Sequence, residues 1–124
     1  MFIFPKIFLI ISLNIDNMIR LNRKYVFHIP LYKYVSDELL EIEIDEILDE
    51  LISEFSCNGF DSLYISRIDS YYKNRQFDEI LITIFSSDEM PLEIFDAWFR
   101  RHNDVLAQEA FAYELGNTMV IKDL

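Results

Sequence analysis

An α+β architecture is predicted by three features of this chain of 124 residues. Two stretches place apolar residues at helical spacing, β-rich stretches lie between and around them, and Pro or Gly-containing turns punctuate most boundaries.

Tyr25 to Tyr34 alternates, with Phe27, Ile29 and Leu31 on one side and Val26, His28, Tyr32 and Tyr34 on the other, and reads as the first strand. From Asp37 to Phe55 the period changes to that of a helix. Leu40, Ile44, Ile47, Leu48, Leu51, Ile52 and Phe55 fall on one arc, with Ser36 or Asp37 as cap and Asn58-Gly59 as stop. Ser62 to Tyr72 and Phe77 to Phe85 read as a hairpin joined by Lys73-Asn74-Arg75-Gln76. Pro91 opens a second helix that carries Leu92, Phe95, Trp98, Phe99, Leu106 and Ala110 to about Leu115. Gly116-Asn117 then stops it, and Thr118 to Ile121 forms a last short strand. The order strand, helix, strand, strand, helix, strand predicts a ferredoxin-like split βαβ fold (βαββαβ): a four-stranded antiparallel sheet with both helices on one face.

Residues 18–124 are expected to form one domain. Residues 1–17 are apolar but interrupted by Pro5 and Lys6, and a helix of the first fifteen would reach only about 23 Å against a hydrocarbon core of about 30 Å. They read as an N-terminal extension outside the fold, with Met18 as the natural start and no stable membrane span. The expected location is the cytoplasm.

Composition narrows the function classes. With 52% hydrophobic and 15% aromatic residues, two Gly and three Pro, the chain can fill a core and is neither disordered nor collagen-like. A net charge of −11 repels phosphate backbones, so direct nucleic-acid binding is not expected. Cys57 is the single cysteine and no Cys/His cluster or calcium-loop pattern occurs, so no metal is expected. Gly59 and Gly116, as the only glycines, cannot build a phosphate-binding or dinucleotide loop, and no cofactor is expected.

Two helices cover one face of such a sheet and leave the other to be solvated, paired or used. The residues expected there are His28, Tyr32 and Tyr34 from the first strand, Tyr64, Ser66 and Ile68 from the second, and Glu79, Leu81, Thr83 and Phe85 from the third. That mixture suits an interface or a pocket lining, so Tyr32, Tyr34, Tyr64, Glu79 and Thr83 are the candidate ligand or dimer face. Charge is unevenly placed: residues 1–36 carry +4, 37–61 carry −10 and 62–124 carry −5. Glu46, Asp49 and Glu50 lie opposite the apolar stripe of the first helix and form a candidate docking surface for a basic protein.

Few residues invite chemistry. Glu109 falls in the apolar arc of the second helix as predicted, where a carboxylate must find a partner or stay protonated. His28 lies mid-strand among aromatics, and both are candidate acid–base residues. His102 reads as a half-buried structural histidine, Cys57 as an incidental thiol, and Tyr71-Tyr72 with Lys73 and Arg75 as turn packing. Three functions follow. The first is a small acidic binding protein that forms a homodimer through its open sheet face. The second is a cofactor-free enzyme with an acid–base cavity on that face, and the third is an acidic decoy of nucleic acid.

Overall fold

The computed structural model describes residues 18–124, so the apolar extension assigned to residues 1–17 lies outside the described residues. The elements in order are β1 (Arg23–Pro30), β2 (Tyr32–Val35), β3 (Glu38–Glu41), α1 (Asp45–Cys57), β4 (Tyr64–Tyr72), β5 (Arg75–Ser86), α2 (Met90–Arg101), α3 (Asn103–Leu106), β6 (Ala110–Leu115) and β7 (Thr118–Asp123). The class is α+β. The main sheet has five strands, not the four expected, in the order β4-β5-β1-β6-β7, and every pairing in it is antiparallel.

Three local features redirect the chain from the expected course. The first strand stops at Pro30, which has no N–H to extend a ladder; beyond it Tyr32–Val35 pairs with Glu38–Glu41 as a separate hairpin. Ser36 (φ 51°) and Asp37 (φ 64°) are the two left-handed residues of that hairpin's turn rather than a helix cap. The first helix consequently begins at Asp45, not Asp37. Third, the second helix ends at Arg101, restarts for one turn and stops at Ala107, which is left-handed at φ 51°. Ala110–Leu115, expected as helix, is therefore a strand, joined to β7 through Gly116 (φ 58°) and Asn117.

Alternation sorts the sheet into two faces. Tyr25, Phe27 and Ile29 of β1, Ile80, Ile82 and Ile84 of β5, and Phe111 and Tyr113 of β6 are buried beneath the helices. Leu51 and Phe55 of α1 and Phe95, Trp98 and Phe99 of α2 meet them. Phe27 is the hub of this layer, with its ring centroid 4.5 Å from Phe95 and 5.9 Å from Phe55. The Trp98 indole N–H donates to the Ile47 carbonyl at 2.7 Å, tying α2 to α1. At the start of α2 the Asp88 carboxylate accepts the Met90 N–H at 2.9 Å, and Pro91 occupies the first turn as the sequence predicts.

Phe27→Ala is expected to cost about 3–5 kcal/mol of stability in urea unfolding, because the ring lies between two helices and leaves an unfilled cavity. A loss under about 1 kcal/mol would mean that the strand–helix layer does not hold the fold together.

Candidate functional site

The opposite sheet face carries no helix among the described residues. Cross-strand register fixes its members: Val26 pairs with Thr83 and Glu114, His28 with Leu81, Pro30 with Glu79, Tyr64 with Thr83, and Ser66 with Leu81. Glu79, Leu81, Thr83 and Phe85 lie on this face, as the sequence pattern requires.

Near one end of it, β1 brings His28 between two carboxylates. His28 Nδ1 lies 2.9 Å from a Glu79 oxygen of β5, and its Nε2 lies 2.7 Å from a Glu114 oxygen of β6. An ionised carboxylate can only accept, so two such contacts require a proton on both ring nitrogens. The cluster is an imidazolium held between two carboxylates, with a net charge of −1. Hydrogen bonding to Glu79 raises the His28 pKa above its ordinary 6.5; burial opposes that, and Glu114 adds to the rise. The same bond with His28 lowers the Glu79 pKa below 4.5, against burial that would raise it.

His28 and Glu79 of this cluster line a cleft of about 260 Å³ at the Pro30 end of β1, and Glu114 is not part of its wall. His28, Glu79, Ser70 and Phe77 form part of its wall, and Tyr32, Gln108 and Ala110 another part. The short hairpin is fastened beside it. Gln108 donates through Nε2 to the Tyr32 carbonyl at 3.1 Å, the Lys33 ammonium donates to the Val105 carbonyl at 3.1 Å, and the Tyr32 ring meets Phe77 edge-on at 5.9 Å. Asn103 clamps the loop after α3, donating to the Gln108 carbonyl and accepting its N–H, each at 3.0 Å. One side of the cleft is thus built from the segments that depart most from the expected course, and the other from the strands β1, β4 and β5.

The candidate residues separate into those the structure gathers and those it disperses. His28, Glu79 and Tyr32 are together. Tyr34 is 59% exposed on the short hairpin and does not line the cleft, while Tyr64 and Thr83 pair with each other farther along the open face. Glu109 is not in an apolar helical arc. It is exposed in the connection before β6, where its carbonyl accepts the Leu124 N–H at 3.0 Å. The feature that marked it as a candidate, a carboxylate in a buried stripe, depended on a helix continuing through a segment that is a strand. Glu50 is committed to the helix pair, with its oxygens 3.0 Å from Arg101 and 2.6 Å from His102, whereas Glu46 and Asp49 remain exposed. Glu114 is the residue that the sequence reading missed. The alternation Phe111, Tyr113, Leu115 followed by Gly116-Asn117 was the signal that could have found it, as a hairpin rather than a helix end.

Among the described residues no group of side chains is placed to hold a metal ion, and no helix is long and apolar enough to cross a membrane. No protein-family model matches this chain, and no curated protein gives a significant match. Among solved structures, a phage SAM lyase in its apo state aligns with a TM-score of 0.52 and 16% identity, over 86% of this chain and 95% of that one. A phage SAM lyase in complex with S-methyl-5'-thioadenosine aligns with a TM-score of 0.47 and 12% identity, over 82% of this chain and 89% of that one. The first alignment gives the α+β chain a fold in common with a small enzyme.

The two titrations set opposite pH limits. The raised His28 contributes stability that is full below about pH 6.5 and lost as pH rises through its folded-state value; the lowered Glu79 contributes stability that is full above about pH 4.5 and lost as pH falls through its own. Glu79→Gln is therefore expected to cost on the order of 1 kcal/mol between about pH 4.5 and 6.5, with the gap closing on both sides. Chemical denaturation across pH 3 to 9 checks this, and a gap that stays constant over the whole range would contradict the imidazolium assignment.

Proposed function

We propose that this chain is a small cofactor-free enzyme whose acid–base site is the Glu79–His28–Glu114 cluster, with a sulfonium compound, SAM, as its substrate in lyase chemistry. The observation that carries this reading is the cluster itself: two carboxylates flank one imidazolium at the edge of a cleft. The name of the apo structure that shares the fold supplies the reaction class to test first.

The chemistry is compatible with the charges. A sulfonium is a cation, and the cluster's net negative charge together with the chain's −11 favours its approach. A lyase breaks the C–S bond without adding water. Sulfur departs with the bonding pair as a neutral thioether, and the carbon fragment gives up a proton. Glu79, which lines the cleft, is the base available to take it, and Glu114 positions His28 from its other ring nitrogen. His28, protonated, is hydrogen-bonded to both and lowers the basicity of Glu79. No oxidant, reductant or metal enters the balance.

Full-length protein incubated with SAM is expected to release a thioether, followed by mass spectrometry. Glu79→Gln and Glu114→Gln should each lower the rate by about 10²- to 10⁴-fold while leaving the fold intact by circular dichroism. Folded wild-type protein that does not accelerate SAM breakdown above the uncatalysed background would end this reading.

A second reading, homodimerisation through the open face, is favoured by a separate observation. Tyr64 (53%), Phe85 (36%), Met119 (52%) and Ile121 (71%) are exposed there, four large apolar side chains on one solvent-facing sheet face. An association of this kind is driven by apolar burial and is insensitive to salt. Light scattering on the full chain is expected to give twice 14.9 kDa at both low and high ionic strength, and a monomer under both conditions would exclude it.

A further inference from the structure

On one side the main sheet ends in an unprotected strand. β4 pairs with β5 along its whole length, and among the described residues no strand pairs with its outer edge. Exposed edges are ordinarily kept short, bulged, or studded with Lys or Pro. This one runs for nine residues in unbroken register, contains neither Lys nor Pro, and is exposed except at Ile68 and Ser70. Tyr71 is 71% exposed and Tyr72 66%, so the sequence expectation that they pack against the turn is not met, although Lys73 lies over the Tyr72 ring at 5.3 Å.

The turn fixes which main-chain groups of β4 are free. Lys73 (φ 50°) and Asn74 (φ 62°) make a two-residue loop, so Tyr72 and Arg75 are the narrow, doubly hydrogen-bonded pair that closes the hairpin. Narrow pairs recur at every second residue, so Ser70, Ile68, Ser66 and Tyr64 also turn their N–H and C=O groups toward β5. Ile65, Arg67, Asp69 and Tyr71 turn theirs outward.

The side chains of this strand are complementary to themselves. Laid antiparallel on its own copy about Ile68, the sequence YISRIDSYY sets Tyr64 opposite Tyr72, Ile65 opposite Tyr71, Ser66 opposite Ser70 and Arg67 opposite Asp69. The same register pairs Ile65, Arg67, Asp69 and Tyr71 only with one another, so every outward main-chain group meets another outward group. Sliding by two residues is the smallest step that keeps those groups paired, and it sets Arg67 against Arg67 or Asp69 against Asp69. Within one copy Asp69 is uncompensated. It stands directly across from Asp78, the Arg67 guanidinium donates to Asp78 at 3.1 Å, and Asp69 has no ion-pair partner among the described residues.

We propose that β4 of one copy adds to β4 of a second copy, antiparallel and centred on Ile68, so that two five-stranded sheets become one continuous sheet about a two-fold axis. Arg67 of each copy meets Asp69 of the other, and the narrow pairs exchange about eight main-chain hydrogen bonds. β4 carries one Arg and one Asp, so the contact itself brings no net charge together. The −11 of each whole chain opposes association at long range, and salt screens that opposition. The contact is independent of the catalytic reading and uses the edge of the sheet rather than its open face.

A charge swap tests the register. By sedimentation velocity on the full chain at about 150 mM salt, the wild type is expected at twice 14.9 kDa. Arg67→Asp and Asp69→Arg each set like charges against each other in both cross-strand pairs, and each should raise the dissociation constant at least about tenfold. Mixed together, the two variants oppose acids to arginines at both pairs and should form a heterodimer of about wild-type affinity. Both residues are exposed, so each variant is expected to fold, and circular dichroism confirms that before association is scored. Asp69→Arg gains Asp78 as a cross-strand partner and keeps the test open should Arg67→Asp, which loses that partner, fail to fold. A monomeric wild type overturns the proposal and leaves the edge to a strand of a different protein. A dimer that folded variants leave intact overturns it as well and assigns association to the open face, and so does the failure of two folded variants to pair when mixed.

Discussion

Side-chain alternation along β1 is the constraint on which the rest of the structure depends. This strand is hydrogen-bonded on both edges, to β5 and to β6, so neither its register nor its facing can slip without reversing every side chain it carries. Burying Phe27 against Phe55 and Phe95 therefore determines where His28 goes. The histidine is placed on the opposite face, between strands that present Glu79 on one side and Glu114 on the other. A core decision on one face becomes a chemical arrangement on the other.

The electrostatics of the cluster follow from that placement. A lone imidazolium at half burial would be disfavoured by loss of solvent, and two carboxylates within a few ångströms of each other would repel. Each problem removes the other when the ring stands between the acids. The same logic operates at the helix seam, where Arg101 contacts both Glu50 and Glu54 and His102 contacts Glu50. It operates again at Asp96, where burial alone would raise the pKa but Lys122 and Arg100 bring it below the ordinary value. The difference is one of place. The seam ties two helices and Asp96 ties α2 to β7, whereas His28 and Glu79 line a cleft.

Much of the framework was legible because its signals are local and strong. Ile80, Ile82 and Ile84 alternate without interruption, and the second half of the first helix repeats its apolar residues at helical spacing. The site was half legible: His28 and Glu79 share a face by simple parity. The rest was hidden by competition between signals. Leu40 fits the helical arc that continues into Ile44, yet it belongs to a hairpin whose turn uses two non-glycine left-handed residues. Ala107 ends a helix in the left-handed conformation with neither glycine nor asparagine to announce it, so Glu114 was assigned to a helix. Both errors come from turns formed by residues that do not ordinarily favour them, and both fall in the segments that wall the cleft.

The acidity of α1 has a physical explanation that also limits what it can mean. Asp45 and Glu46 occupy the first turn, where the unsatisfied N–H groups and the helix dipole favour negative charge, and no side-chain cap competes for that role. Glu50 and Glu54, farther along, are offset by Arg101 and His102. Neither explanation covers Asp49 or Glu43. Asp49 is beyond the first turn and exposed, with no ion pair to the cations of α2, and Glu43 precedes the helix. The acidic face is therefore not one feature. Part of it is helix-terminal electrostatics, part is a structural seam, and the remainder is uncompensated charge that folding alone does not require.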